Sequence, residues 1–164
     1  MNLKFITMLL LNSFTAIIIF ISLFSFVNGK GCNYEMILPT ENGIESFAVC
    51  RWGRINVINT DSVTQDQWVV SGINFSINNQ LYIFVTDRKK TNDGSPGTTS
   101  ILDKIIQSYD DISFYHYAWV SIDNENILIF QTMPKDEIYF AQKKGVFDFN
   151  ERYFRWGRWN EHLF

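Results

Sequence analysis

Apolar and polar residues alternate or fall in short runs along most of the chain after residue 30, a pattern typical of β-strands. The runs are rich in β-branched and aromatic residues and are separated by polar, turn-forming segments. They predict strands over 33–38, 45–50, 67–73, 80–86, 113–122, 127–133, 137–142, 146–149 and 153–156. The sequence therefore predicts a mainly β fold, either an antiparallel β-sandwich or a half-closed barrel, with α+β as the alternative.

The segment 113–133 predicts a hairpin around a turn at 123–126. In the expected register, Val120 lies opposite Ile129 and Trp119 lies opposite Phe130. Large apolar side chains then occupy both faces of the hairpin. The pattern predicts a central hairpin that is covered on both sides.

One segment has helical rather than strand spacing. Five apolar residues share one face of a helix over 101–109: Ile101, Leu102, Ile105, Ile106 and Tyr109. Ser100 and Asp103 resemble a capping box at the start of this helix. The preceding segment, 87–100, collects charged and turn-forming residues and is predicted to be a loop.

The first 29 residues have the composition of an export signal. Lys4 is the only charged residue before position 30, and 8–27 is almost wholly apolar. With Val27-Asn28-Gly29 behind it, this segment predicts a signal peptide over 1–29 and one mature domain over 30–164. The protein is therefore expected to be secreted and extracellular. The alternative is an uncleaved membrane anchor, because the apolar run is long enough to span a bilayer.

If the protein is exported, its two cysteines can form a disulfide and its one Asn-x-Ser/Thr sequon can be glycosylated. Cys32 and Cys50 lie symmetrically about the turn-rich segment 39–43, which places them at the open end of a predicted hairpin. In an oxidising compartment we expect them to form a disulfide. Asn74 begins the sequon Asn-Phe-Ser and is a predicted glycosylation site.

The composition excludes several classes of function. The chain has 14 Lys and Arg against 17 Asp and Glu, so it lacks the cationic surface of a general nucleic-acid binder. Two His and two Cys without zinc-site spacing predict no metal and no cofactor. Aromatic residues make up 16% of the chain, and they suit either a β core or the stacking of sugar rings.

A hexapeptide pattern, R-W-G-R-x-N, occurs at both ends of the mature domain. The residues that would form a binding patch if the two copies met are Arg51, Trp52, Arg54, Arg155, Trp156, Arg158 and Trp159. Arg supplies planar donors for carboxylate, phosphate or sulfate, and Trp supplies a flat apolar plate. The alternative is structural: Arg stacked on Trp, with Arg51 and Arg155 paired to nearby acids.

No catalytic motif for hydrolysis, phosphate binding or dinucleotide binding is present. His116, His162 and Lys104 could be imagined as a ribonuclease-like site, but their spacing does not support one. These observations favour a secreted, non-enzymatic, lectin-like binding module for an extracellular glycan or anionic surface group. The alternatives are an effector or toxin-like protein acting on a protein or membrane target, and a small secreted hydrolase.

Three stretches carry a family resemblance: Cys-Asn-Tyr-Glu-Met-Ile-Leu at 32–38, Glu-Ser-Phe-Ala-Val-Cys-Arg-Trp-Gly-Arg at 45–54, and Tyr-Ala-Trp-Val-Ser-Ile-Asp at 117–123. Their order resembles the farnesoic acid O-methyltransferase-type domain, a secreted β-rich module of animals. The resemblance implies an extracellular recognition module. It does not imply methyl transfer, because the sequence shows no S-adenosylmethionine-binding loop.

Overall fold

The computed structural model describes residues 3–41, 43–94 and 100–154. Within these ranges, eight antiparallel strands close into a barrel in chain order. The strands are β1 (Asn33–Glu41), β2 (Ile44–Arg51), β3 (Arg54–Asp61), β4 (Asp66–Ile77), β5 (Gln80–Asp93), β6 (Phe114–Ser121), β7 (Asn126–Met133) and β8 (Glu137–Val146). Three helices accompany them: α1 (Leu3–Gly29), α2 (Ile101–Ser108) and α3 (Phe149–Phe154). The predicted mainly β, barrel-like fold is confirmed, and the barrel is fully closed rather than half-closed.

Two strands differ from the sequence prediction. The pattern missed β3, whose inward Ile55 and Val57 alternate with polar neighbours. Strand β5 continues to Asp93, through a segment predicted to be a loop, because β4 pairs with it along that length. This extension carries charged side chains, as a strand with a solvated face can.

The chain after β8 forms a helix, so the predicted strand at 146–149 is wrong, as is the described part of the strand predicted at 153–156; residues 155 and 156 lie outside the described residues. The Asp148 side chain accepts a hydrogen bond from the Glu151 N–H at 2.7 Å. This contact satisfies a donor in the first turn of α3 that has no partner within the helix. A helical start is therefore stabilised just before the predicted strand at 153–156.

The β6–β7 hairpin has a register one residue away from the predicted one. Val120 lies opposite Leu128, and Trp119 lies opposite Ile129. The Asp123 carboxylate accepts from the N–H groups of Glu125 and Asn126, which tightens the turn and shifts the pairing. The outer face of this hairpin is not covered, since Val120 is 53% exposed. The prediction of a hairpin covered on both sides was wrong because a closed barrel buries only its inner face.

The barrel is filled at the end where β1 begins and β8 ends, which we call the closed end. The predicted disulfide is confirmed there: Cys32 and Cys50 are bonded, with their Cα atoms 5.7 Å apart. Tyr34 and Trp119 each pack a ring against Phe147, at a centroid distance of 4.7 Å in both cases. The closed end is therefore a conventional packed core.

A buried ion pair joins α3 to the barrel at the closed end. Lys143 of β8 pairs with Glu151 of α3, and both side chains are almost completely buried. The other oxygen of the Glu151 carboxylate accepts from the Phe147 N–H at 2.6 Å. The Lys143 ammonium also lies 4.5 Å from the centre of the Phe147 ring.

Candidate ligand-binding cavity in the barrel

The barrel interior beyond the closed end contains a cavity of about 400 Å³. Its wall is mainly apolar, with contributions from all eight strands and from α2. Representative wall residues are Met36, Leu38, Val57, Leu81, Ile83 and Ile129. An eight-stranded barrel is either filled by its own side chains or holds one small ligand, and this one is filled at one end only.

Small inward-facing residues account for the space. Ala48 faces the interior between Met36 of β1 and Val57 of β3, its paired neighbours in the sheet. Gly72 of β4 also lines the cavity, but a Cβ atom there would lie 2.8 Å from both Ile83 Cγ2 and the Phe84 carbonyl oxygen. Gly72 therefore allows β4 and β5 to approach closely, whereas Ala48 contributes only a methyl group to the cavity wall.

A tyrosine hydroxyl without a partner lies at the inner limit of the cavity. Tyr34 is 1% exposed, lines the cavity, and its hydroxyl has no hydrogen-bond partner among the described residues. Burial raises the pKa of Tyr34 well above its ordinary value of 10.0, so the phenol stays protonated. A buried hydroxyl without a partner is costly, and a ligand oxygen that displaced the side chains covering it would accept its hydrogen bond.

Two further tyrosines form an aromatic section of the wall. The rings of Tyr115 and Tyr117 on β6 are nearly parallel, with centroids 6.2 Å apart. Burial raises the pKa of Tyr117 well above 10.0, so this phenol is also neutral. The aromatic section is therefore uncharged and suits a flat or chain-like apolar group.

At the opposite end of the cavity, which we call the mouth, the carboxylate of Glu137 is paired with a cation and a hydroxyl. The Lys135 ammonium lies 2.8 Å from one oxygen of Glu137, and the Tyr139 hydroxyl donates to the other. These two contacts hold the pKa of Glu137 below its ordinary value. Gln131 donates to the Lys135 carbonyl oxygen at 3.0 Å and orders the loop that presents Lys135.

Helix α2 covers the mouth. Leu102 and Ile106 are buried, and Ile105 and Tyr109 also line the cavity, which confirms the predicted apolar face except for Ile101, which is 53% exposed. The Ser100 hydroxyl accepts from the Leu102 N–H at 3.0 Å, which makes Ser100 the N-cap. The same hydroxyl donates to the Asp61 carboxylate at 2.9 Å and fixes the start of the helix to β3.

Asp103 does not form the predicted capping box. Its carboxylate instead binds α2 to the long hairpin formed by β4 and β5. Its carboxylate accepts from the Trp68 indole N–H at 2.7 Å and from the Lys90 ammonium at 2.8 Å. Lys90 also lies 2.9 Å from the buried carboxylate of Asp66. Lys90 and the Thr64 hydroxyl hold the pKa of Asp66 below its ordinary value, and the two acids raise the pKa of Lys90.

The first copy of the Arg-Trp pattern forms the turn between β2 and β3. Trp52 is 78% exposed and has a positive φ of 53°. Arg51 pairs with Glu35 at 2.7 Å and donates to the Tyr34 carbonyl oxygen at 2.8 Å, so its donors are used within the fold. Arg54 is exposed. The second copy, with Arg155, Trp156, Arg158 and Trp159, lies outside the described residues, and the joint patch stays a prediction.

Two other candidate residues are placed away from the cavity. Asn74 is fully buried, with its side chain against Gly29, so the folded arrangement has no space for a glycan at the predicted site. His116 projects from the outer face of β6, where it contacts Thr132 at 2.6 Å and Gln80 at 3.1 Å. Among the described residues, no three His, Cys, Asp or Glu side chains are grouped to hold a metal ion.

No protein-family model matches this sequence, and no curated protein sequence matches it. The resemblance to the farnesoic acid O-methyltransferase-type domain therefore stays a prediction. The cavity and its covering helix are the features on which a function can be argued.

Proposed function

We infer that this protein binds a small, mainly apolar molecule inside the barrel and acts as a carrier or store for it. The observation that carries the proposal is the cavity of about 400 Å³, mainly apolar but with the partnerless Tyr34 hydroxyl at its inner limit. Ligand cavities of this kind are largely apolar, with a few polar groups that fix the orientation of the ligand.

The physical chemistry supports an apolar ligand with one hydrogen-bond acceptor. Moving each CH₂ group from water into the cavity contributes about 0.8 kcal/mol. An acceptor that reached Tyr34 would relieve a desolvation cost of about 1–3 kcal/mol. We therefore propose a ligand with a carbonyl, ether or hydroxyl oxygen at one end.

The charged groups near the mouth favour binding over catalysis. Glu137 is paired with Lys135 and with the Tyr139 hydroxyl, so its carboxylate is not a base awaiting a substrate. The disulfide and the apolar helix α1 suit a protein that works in the secretory lumen or outside the cell.

The test uses the full chain in lipid nanodiscs and the neutral fluorescent probe N-phenyl-1-naphthylamine. We expect one probe molecule per chain above the fluorescence of protein-free nanodiscs of the same lipid, displaced by long-chain alcohols and ketones more readily than by alkanes of equal length. The variant Ala48→Phe, which places a ring in the cavity, should lose the binding. Equal fluorescence from Ala48→Phe would mean that the probe binds elsewhere and would contradict the proposal.

A second candidate is recognition of an extracellular glycan or anionic group at the β2–β3 turn. The observation that favours it is the exposure of Trp52 beside the exposed Arg54. A glycan array compares the wild type with Arg54→Ala. Loss of bound sugars at an unchanged melting temperature supports this candidate, and an array without bound sugars contradicts it.

A further inference from the structure

The last turn of α1 is built into the closed end of the barrel. Asn28 is 4% exposed. Its amide nitrogen donates to the Ser76 carbonyl oxygen at 3.0 Å, and its amide oxygen accepts from the Asn150 N–H at 3.0 Å. One side chain of α1 thus joins β4 to the first turn of α3.

Gly29 lies directly on strand β4. A Cβ atom at this position would lie 2.3 Å from the Asn74 carbonyl oxygen and 2.9 Å from Phe75 Cα, so no larger residue fits. The Gly29 carbonyl oxygen accepts from the Cys32 N–H at 3.1 Å. The small residue that suggests a signal-peptide cleavage site is required here by packing.

Aromatic and cationic contacts continue on both sides of Asn28, and we call the packing of residues 25–30 against β4 and α3 the joint. The Phe26 ring packs against Phe75 with centroids 5.3 Å apart, and the Lys30 ammonium lies 4.6 Å from the centre of the Phe26 ring. Ser25 is also buried. The described fold therefore includes the chain from Ser25 onward, not from Lys30.

The remainder of α1 has the properties of a membrane span. Its apolar residues are exposed around the whole helix rather than along one stripe, which is typical of a helix in lipid. Of the 27 residues of α1, the 22 that precede Ser25 span about 33 Å, against a hydrocarbon thickness of about 30 Å. Its only charged residue, Lys4, lies at the end away from the barrel.

We propose that α1 is retained as a membrane anchor and that its last turn fixes the closed end of the barrel against the bilayer surface. Cleavage after Gly29 would remove the bridge made by Asn28 and uncover Asn74. The Cys32–Cys50 disulfide places the barrel on the oxidising side of the membrane and Lys4 on the cytoplasmic side, with the mouth and α2 directed away from the lipid.

The first experiment follows the full chain, with a carboxyl-terminal tag, through a eukaryotic secretory cell. We expect the protein in the carbonate-resistant membrane fraction, with an intact mass that includes residues 1–29. Secreted protein beginning near Lys30 would overturn the proposal. A soluble oligomer that keeps α1 would also overturn it, because α1 would then be covered by other copies and not by lipid.

The state of Asn74 tests the joint itself. With Gly29 in place, Asn74 is buried, and we expect its sequon to remain unmodified. The matched control is Ser62→Asn, which creates the sequon Asn-Val-Thr on the exposed β3–β4 turn and should be glycosylated. A glycan on Asn74 in folded protein would overturn the docking of α1, and an unmodified control would overturn the outward orientation.

A pair of asparagine variants separates docking from membrane insertion. Asn28→Ala removes both hydrogen bonds of the bridge, whereas Asn12→Ala changes an exposed residue in the middle of α1. In nanodiscs, we expect Asn28→Ala to lower the melting temperature of the barrel by several degrees. Asn12→Ala should not lower it. Equal melting temperatures would overturn the role of Asn28.

Discussion

Enlarging Ala48 is the sharpest test of the cavity, because the sign of the stability change depends on whether the space is open. Ala48 faces the interior between Met36 and Val57, beside a cavity of about 400 Å³ that has room for a phenyl ring. In a filled core, such an enlargement would cost about 1–3 kcal/mol. In an open cavity it removes apolar surface from water instead.

The expected gain can be worked from area. Phe carries roughly 100 Å² more apolar surface than Ala, so its burial contributes about 2.5 kcal/mol at ~25 cal/mol per Å². Ordering the side chain costs about 0.5–1 kcal/mol. We therefore expect Ala48→Phe to raise the free energy of unfolding by about 1.5–2 kcal/mol while it abolishes probe binding.

Gly72→Ala is the matched control, because it also adds carbon to a small cavity-lining residue. Its Cβ would lie 2.8 Å from Ile83 Cγ2 and from the Phe84 carbonyl oxygen, so we expect it to lower stability. Both variants are compared with the wild type by urea unfolding followed by tryptophan fluorescence, with the disulfide intact and no ligand added. A loss of stability in Ala48→Phe as large as in Gly72→Ala would refute the open cavity.

Three other substitutions test separate parts of the molecule. Tyr34→Phe removes a buried hydroxyl without a partner, so the ligand-free protein should unfold at the same or higher urea concentration, while alcohols bind less tightly. Lys90→Met should lower the melting temperature at pH 7. The pKa of Asp66 is lower in the folded protein than its unfolded value of 3.8, so ionised Asp66 stabilises the fold at pH values above 3.8. This contribution is lost as the pH falls through the folded pKa. The difference in melting temperature between Lys90→Met and the wild type should therefore be smaller in acid. Replacing both Cys32 and Cys50 by Ala should cost about 3 kcal/mol in urea unfolding, because they close an 18-residue separation. An unchanged midpoint would contradict this estimate.

Local features of the fold could be predicted from the sequence. The Cys32–Cys50 bridge follows from a hairpin whose turn lies midway between the two residues. Helix α2 follows from its apolar spacing, and Ser100 is its N-cap as predicted. In each of these cases, the interacting residues are close in sequence, so their spacing carries the information.

Closure of the barrel could not be predicted in this way. It depends on the pairing of β1 with β8, in which Met36 lies opposite Lys143. Residues so distant in sequence leave no periodic signal, and either a sandwich or a barrel can satisfy the same alternation of apolar and polar positions. The register of the β6–β7 hairpin failed for a related reason, because one side chain, Asp123, sets the turn.

The cavity was missed because it is a property of many inward residues together. Each wall residue by itself predicts an ordinary core position, and only the summed side-chain volume decides whether space remains. The available signal was the small residue Ala48 at an inward position of β2. The Arg-Trp repeat was more conspicuous, but Arg51 is largely used in holding β1 to β2.

The two ends of the barrel are held by different kinds of contact, and this difference assigns their roles. At the closed end, Lys143 and Glu151 are buried together, so any opening there would separate a desolvated ion pair. At the mouth, α2 is tied by the partly exposed Lys90–Asp103 pair and by the buried hydrogen bond from Ser100 to Asp61. Water can replace the Lys90–Asp103 contact as it breaks, so separating α2 from β5 breaks a partly solvated ion pair rather than a desolvated one. If the barrel binds a ligand as proposed, we therefore expect it to enter beneath α2, while the closed end stays fixed.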